Sequence, residues 1–481
     1  MIKVNIRILF FGAGKLGKHW ITCFRDWGMV PQGILDNNKD LWGSLWEGVL
    51  VYDPSMLETF NFDYIFITCK REAEIYRQLL ELGVAKNKII VGNHNILNHL
   101  LFYAVKEMAP SVGLTKGRDD IGKRKVLFDL YNGMILGGVE SWSYALAKSL
   151  CEKGYEGLYL TRDVTTSMVI DETYPVFMLE NHKIHCDKDK IDTYVMKIIN
   201  NLPCTVICNF PQYIFWSACI VKRLYTDQIR IIAVQHSDES LYYSTYNLWE
   251  EYVDCFLVIS SRMEQRILSE KIDRNKINRL EWEIPCDRNL DREWGEKKIY
   301  LQIGYAGRVT ISQKRVDLFL ELALKLKEKG IRFLLNIAGT GNYYEKLCER
   351  VQEEGLQDCI VCVGCIDRKN IPNFWKKQDI MISCSEYEGH SISQSEAMAE
   401  GAVPVITDVS GARDDVTDGY NGYVVDVGDI DALADRIQKL YLDRTKLKQM
   451  SIRAHDTICK RQKDMDQTVF WDDLIGKVWQ A

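Results

Sequence analysis

Ile380-Met-Ile-Ser-Cys384 runs straight into Ser385-Glu-Tyr-Glu388-Gly-His-Ser391-Ile-Ser-Gln-Ser-Glu396-Ala-Met-Ala-Glu-Gly-Ala-Val-Pro-Val405. The apolar stretch reads as a buried strand, and the polar stretch behind it turns helical, with Ile392, Ala397, Met398 and Ala399 as packing positions. Strand, short loop and helix start together build an anion site at the carboxyl edge of a parallel sheet. Glu388 and Glu396 flank the same small region. Carboxylates repel phosphate, so they are expected to accept hydrogen bonds from hydroxyl groups. A ligand that carries phosphates and several hydroxyls is a nucleotide sugar.

Similar strand–helix alternation extends outward from this stretch. Lys298-Ile-Tyr-Leu-Gln-Ile-Gly-Tyr-Ala-Gly307, Phe333–Ile337, Ile360–Val363, Val403–Ile406 and Tyr423–Val425 read as strands separated by helices. An α/β unit over residues 286–465 follows. A second such unit, 123–285, begins at Lys125-Val-Leu-Phe-Asp-Leu130 and includes Thr205–Cys208, Ile229–Val234 and Cys255–Ile259. A third, 1–95, has strands at Ile6–Phe11, Val30–Leu35, Tyr64–Thr68 and Lys88–Val91. Residues 96–122, ending in the polar, glycine-bearing run Lys116-Gly-Arg-Asp-Asp-Ile-Gly, are assigned as a linker.

A chain of 481 residues needs several cores. With 47% apolar residues it is folded rather than disordered, and 61 basic against 67 acidic side chains give no global attraction to nucleic acid. No run of eighteen or so apolar residues predicts a membrane span. The fifteen cysteines are scattered, which suits buried thiols in a reducing cytoplasm. Cys362-Val-Gly-Cys365 lacks a second pair or a nearby histidine, so no metal site is expected.

Four further sets of residues could carry chemistry. Gly307-Arg308 ends a strand, and Lys314 follows across a turn, so the two cations could clamp a diphosphate. Cations there favour a transition state in which a nucleoside diphosphate departs. The competing reading is a solvated basic turn. Gly137-Gly138 opens a helix and lets backbone approach a ligand, where a plain tight turn would need only one glycine. His236 follows a buried strand at its carboxyl end, and His390 lies inside the Glu388 loop; either could be a loop histidine without a role. Gly12, Gly14 and Gly17 follow the first strand, and Asp36 lies nineteen residues past Gly17, as in the dinucleotide fingerprint. Alone, that motif leaves open NAD binding or a Rossmann-like module that packs or binds something unidentified. The unit lacks a second mononucleotide half, which speaks against NAD.

From about residue 125 onward the chain resembles retaining glycosyltransferases of family 4, the large two-domain class called GT-B. The resemblance rests on Glu388 and Glu396, on Gly307, Arg308 and Lys314, on Gly137-Gly138, on His236 and on the run Gly411-Ala-Arg-Asp-Asp-Val-Thr-Asp-Gly-Tyr-Asn-Gly422. It implies two Rossmann-like domains facing across a cleft, with residues 466–481 forming a helix that crosses back to the first. It also implies that Arg308 and Lys314 contact the diphosphate and that Glu396 holds the ribose hydroxyls. Glu388, Gly389 and the His390-Ser391 backbone would face the donor sugar and phosphate, Gly138 would touch phosphate, and His236 would lie near the reacting carbon. Two positions depart from the family pattern: His390 stands where an aromatic or small residue is common, and Asp415 where a glutamate is usual. The N-terminal unit resembles small modules fused to bacterial surface-polysaccharide enzymes.

The resemblance implies sugar transfer, with retention, from a nucleotide-sugar donor to a saccharide, lipid-linked or polyol acceptor, in the cytoplasm. No Asp-x-Asp element is visible at a strand end, so no metal or other cofactor is expected. Peripheral contact with the inner membrane face stays open, without a basic amphipathic helix to support it. Other readings are a phosphorylase- or epimerase-like use of the fold, and a glycan-assembly scaffold without turnover.

Overall fold

The computed structural model describes residues 6–109, 124–130, 138–161, 176–178, 187–287, 289–290, 292, 300–462 and 466–480. They form three α/β sheets, of six, seven and six strands. The chain groups into two compact units: 1–233 with 243–255 and 475–481, and 234–242 with 256–474.

The first unit opens with β1 (Ile8–Phe11), β2 (Gly33–Leu35), β3 (Leu45–Trp46), β4 (Val49–Tyr52), β5 (Tyr64–Ile67) and β6 (Ile89–Val91), in sheet order β3-β4-β2-β1-β5-β6. Every residue of β1 is buried, the pattern of a parallel strand covered on both faces. Only β3 and β4 pair antiparallel among these strands. Their turn, Glu47-Gly48, holds both residues at positive φ, 47° and 74°. The helix Asn93–Lys106 then buries Ile96, Leu97, Leu100, Leu101, Phe102, Ala104 and Val105. Residues 96–106 are therefore not linker but a packed element. The side-chain oxygen of its Asn98 accepts from the indoles of Trp216 (2.9 Å) and Trp249 (2.7 Å). Apolar spacing on this helix outweighs the polar composition of the residues that follow it.

Next come β7 (Lys125–Leu130), β8 (Glu156–Thr161), β9 (Val176–Met178), β10 (Cys204–Cys208) and β11 (Ile229–Gln235). β10 pairs with both β11 and β7, β7 with β8, and β8 with β9, all parallel. Lys222 is buried behind this sheet, where its ammonium donates to Ile229 O (2.9 Å) and to both Asp254 oxygens (2.8 and 3.0 Å). The end of the helix Gln467–Gln480 belongs to this unit. Arg230 donates to Val478 O at 2.7 Å, and the Trp479 indole donates to Thr205 Oγ1 at 2.9 Å.

The second unit contains the parallel pair β12 (Cys255–Val258) and β13 (Ile277–Arg279), and a sheet of β14 (Leu301–Ala306), β15 (Phe333–Ala338), β16 (Ile360–Gly364), β17 (Ile380–Ser383), β18 (Val403–Thr407) and β19 (Tyr423–Val425). Its order is β16-β15-β14-β17-β18-β19, every pair parallel. One continuous core of leucine, isoleucine and valine from strands and helices covers it. From β14 the chain winds outward through β15 and β16, then returns to β17 and winds the other way. The reversal opens a crevice beyond the carboxyl ends of β14 and β17, the standard ligand position in such sheets. Gly307-Arg308 leaves β14 there, and Ser385–Glu388 leaves β17 there.

Candidate active site

Backbone packing sets the frame of this crevice. Gly339, at φ 125°, presses against the Gly307 carbonyl so closely that a Cβ would sit 1.9 Å from its oxygen. Tyr305 Oη donates to Arg308 O at 2.7 Å. Glu386 N donates to Gln313 O at 2.8 Å, which fastens the 308–314 turn to the loop after β17. Arg315, directly after Lys314, holds φ 48°, a left-handed backbone that a bulky residue adopts at a cost.

The side chains form one connected cluster. Lys314 Nζ meets Glu388 Oε1 at 2.5 Å, and Ser385 Oγ donates to the same oxygen at 2.7 Å. Gln313 Nε2 donates to Glu388 Oε2 at 3.3 Å, while Gln313 Oε1 accepts from Arg308 Nη2 at 2.7 Å. Arg308, Lys314 and Glu388 are thus brought together, as the sequence leads one to expect. Gln313 and Ser385, which sequence reasoning missed, join them; Gln313 is adjacent to Lys314 but belongs to no motif. Glu388 is buried, with its charge matched by Lys314.

Ser391 caps the helix Ile392–Ala399, its Oγ accepting from Gln394 N at 3.3 Å, so the helix N-terminus begins three residues after Glu388. Glu396 lies a little over one turn along. Burial pushes its carboxyl above the usual range, offset in part by Arg368, whose guanidinium approaches at 3.5 Å. Arg368, after β16, is a second residue that the sequence did not single out.

His236 follows β11 and is partly exposed as a residue, but its Nδ1 is out of solvent and its ring lies against Trp282, 6.1 Å away and 21° from parallel. Burial lowers its pKa to about 3, so the imidazole is neutral near pH 7. Gly389 packs on the His236 carbonyl: a Cβ there would lie 2.3 Å from that oxygen. Asp238 N donates to Glu388 O at 3.3 Å. His390 turns its ring away from Glu388, toward Asp415 Oδ2 and Ser395 Oγ, both at 3.1 Å. Gly138 opens the helix Gly138–Glu152 in the first unit, and Gly137 lies outside the described residues.

In the N-terminal sheet the three fingerprint glycines differ in surroundings. Gly12 adopts φ 120°, Gly17 would drive a Cβ to 2.2 Å from Gly12 O, and Gly14 has nothing within 4 Å. Asp36 turns back on the loop, accepting from Ala13 N at 2.6 Å and Asn38 N at 2.8 Å. Among the described residues, Cys286, His455 and Cys459 form a group whose ligand atoms lie within 4.8 Å of one another, but the two sulfurs are bonded to each other. The expectation of scattered thiols fails for this pair, because residues 173 apart in sequence meet where the helix Arg444–Gln462 passes the segment before β14.

Two Rossmann-like sheets, a further one ahead of them with shorter strands, and cations and glutamates at the switch point of the last sheet define a GT-B protein. The comparisons narrow that class. Residues 287–457 match the family model described as glycosyl transferases group 1, and residues 4–90 match the model C2185-like, N-terminal. Residues 287–457 thus carry a group 1 glycosyl transferase domain in a chain of GT-B fold, with an additional N-terminal domain. It is 25% identical over 191 residues to poly(ribitol-phosphate) alpha-N-acetylglucosaminyltransferase of Staphylococcus aureus, covering 39% of this chain and 37% of that relative. It is 34% identical over 121 residues to poly(glycerol-phosphate) alpha-glucosyltransferase of Bacillus subtilis, covering 25% of this chain and 18% of that relative. The chain therefore matches well under half the length of either. Among solved structures, Anabaena HepE in complex with UDP and glucose superposes with a TM-score of 0.59 at 16% identity, covering 74% of this chain and all of HepE.

Proposed function

We propose that this protein is a retaining glycosyltransferase that moves a sugar from a nucleoside-diphosphate donor to a hydroxyl of a bacterial surface glycan. The observation that carries this reading is the cluster Arg308–Gln313–Glu388–Lys314 at the switch point, eight residues before Glu396 on a capped helix.

Lys314 and Arg308 bind the diphosphate. When the bond between the sugar and the β-phosphate oxygen breaks, the electron pair leaves with the nucleoside diphosphate, and the two cations and the open helix amides stabilise the growing charge. Glu388, relieved of part of its pairing with Lys314, accepts from donor hydroxyls. Glu396 accepts from the ribose. The neutral His236 presents its carbonyl beside Gly389, near the electron-poor sugar carbon. The acceptor oxygen bonds to that carbon on the face from which the leaving group departs, and its proton passes to the departing phosphate oxygen. The cations supply the neutralisation that a divalent metal supplies elsewhere. The names of the two relatives point to polyol-phosphate polymers as acceptors of those proteins; for this chain we assign the broader class of saccharide, lipid-linked or polyol hydroxyls. Among the described residues no helix is long and apolar enough to cross a membrane. We place the reaction in the cytoplasm, where nucleotide sugars are made, with the enzyme peripheral to the inner membrane face when its acceptor is lipid-linked.

The test is a kinetic split. Glu396→Ala raises the Kd for nucleoside diphosphate, since losing a hydrogen bond to a charged group costs roughly 1.5–3 kcal/mol, about ten- to a hundredfold. Lys314→Ala lowers kcat instead. A Lys314→Ala protein with unchanged kcat and weaker donor affinity alone contradicts the assignment. Activity abolished by chelator and restored by Mg²⁺ contradicts the role given to the cations.

A further inference from the structure

His390 and Asp415, from the loop after β17 and the turn of helix after β18, are in direct contact. His390 Nε2 lies 3.1 Å from Asp415 Oδ2, and Ser395 Oγ donates to the same oxygen at 2.6 Å. The other carboxylate oxygen, Oδ1, accepts from Arg461 near the end of the helix Arg444–Gln462. A carboxylate flanked by an arginine only accepts, so Nε2 of His390 carries the proton and donates it. The His390 and Asp415 side chains are 5% and 1% exposed, and Arg461 18%. Each contact is therefore charge-assisted and shielded from water.

The position of His390 governs that of the Glu388 loop. On one side of Gly389 the His236 carbonyl leaves no room for a Cβ. On the other, Gly411, at φ 79°, abuts Gly389 O and His390 Cα, each 2.8 Å from where its own Cβ would be. With Arg461 and Trp282, His390 lines a cavity of about 280 Å³. Its nearly buried ring is oriented by the hydrogen bonds to Asp415 and Ser395.

We propose that Arg461, through Asp415 and His390, is a positioning residue that fixes the Gly389–Ser391 backbone against the donor sugar. The inference rests on the transferase reading above and adds Arg461 and Asp415 to it. Neither touches the reacting atoms in this account; they act by holding a backbone whose displacement by about 1 Å is worth up to a hundredfold in rate.

The experiment compares Arg461→Gln, Arg461→Lys and Asp415→Asn with the unsubstituted chain, using the nucleotide sugar that gives the fastest release of nucleoside diphosphate. Arg461→Gln and Asp415→Asn are expected to lower kcat ten- to a hundredfold with donor KM within threefold. Arg461→Lys, which keeps the charge beside Asp415, recovers most of the loss. Calorimetric binding of the nucleoside diphosphate establishes that each variant is folded, and rates are normalised to the binding-competent fraction. A loss in melting temperature with normal kcat for that fraction overturns the proposal, since the contacts would then be structural only. Equal loss in Arg461→Lys and Arg461→Gln also overturns it. If the unsubstituted chain releases no nucleoside diphosphate from any donor, the transferase reading itself fails, a result distinct from either of these.

Discussion

Gly389→Ala isolates the geometry of the site with one methyl group. The new Cβ would lie 2.3 Å from the His236 carbonyl oxygen, 2.8 Å from its carbon and 2.7 Å from Ile259 Cδ1. The Ile259 side chain can rotate aside, but the His236 carbonyl is backbone at the end of β11 and cannot. Relieving a contact this short requires a shift of roughly 1 Å, because carbon and oxygen settle near van der Waals separation. Overpacking of this kind costs about 1–3 kcal/mol in stability. The same displacement at a reacting centre costs on the order of a hundredfold in rate. Gly476→Ala serves as the reference: it sits in the helix Gln467–Gln480 with nothing within 4 Å of its Cβ, and should gain about 0.4–1 kcal/mol. The assay pairs urea unfolding with initial rates of nucleoside diphosphate release. A Gly389→Ala protein within twofold of normal rate and equal in stability would refute the close packing of Gly389 on His236.

Other expectations concern stability. Lys222→Met leaves Asp254 without its main cation while burying an apolar chain, and should cost about 3–5 kcal/mol in urea unfolding; Lys222→Met with Asp254→Leu should recover much of it. Asp415 is held at a pKa of about 2, against burial, by His390, Arg461 and Ser395. Its folded pKa lies below the unfolded value near 3.9, so its contribution, about 2 kcal/mol, is present above pH 4 and fades as pH falls through 2. The stability difference between the unsubstituted chain and Asp415→Asn should shrink over that window; a constant difference would contradict the ion pair. Depression of the His236 pKa works in the same direction at higher pH. Its contribution is whole above the unfolded value near 6.5 and is lost as pH falls toward 3, so His236→Phe should flatten the acid limb between those values.

The sequence makes the parallel strands legible because their apolar runs, such as Ile380–Ser383 and Val403–Thr407, are buried on both faces. Glu388, Lys314 and Arg308 are legible because strand ends at a switch point are where charged loop residues gather. The hairpin β3–β4 is not, since its turn is Glu47-Gly48 and a glutamate with left-handed backbone gives no Asn-Gly or Asp-Gly signal. Gln313, which bridges Arg308 to Glu388, and Arg368, which reaches Glu396, could not be read, because those glutamates lie far away in sequence. The link between His390 and Asp415 stayed hidden for the same reason: each was visible as a departure, but their contact joins the loop after β17 to the short helix Ala412–Asp415 after β18. The Cys286–Cys459 pair is likewise a product of tertiary folding, not of spacing.

The central claim is retaining transfer from a nucleotide sugar, and the product's anomeric configuration tests it most directly. The purified chain is incubated with a panel of nucleotide sugars and polyol, saccharide and lipid-linked acceptors, and the product is followed by proton NMR from the first turnovers. The account predicts one nucleoside diphosphate released per glycosidic bond formed, with the new bond in the donor's own anomeric configuration. An inverted product would contradict the face assigned to the acceptor. A chain stabilised by NAD(H) but by no nucleotide sugar or nucleoside diphosphate would contradict the claim as a whole and shift the functional centre to Gly12–Gly17.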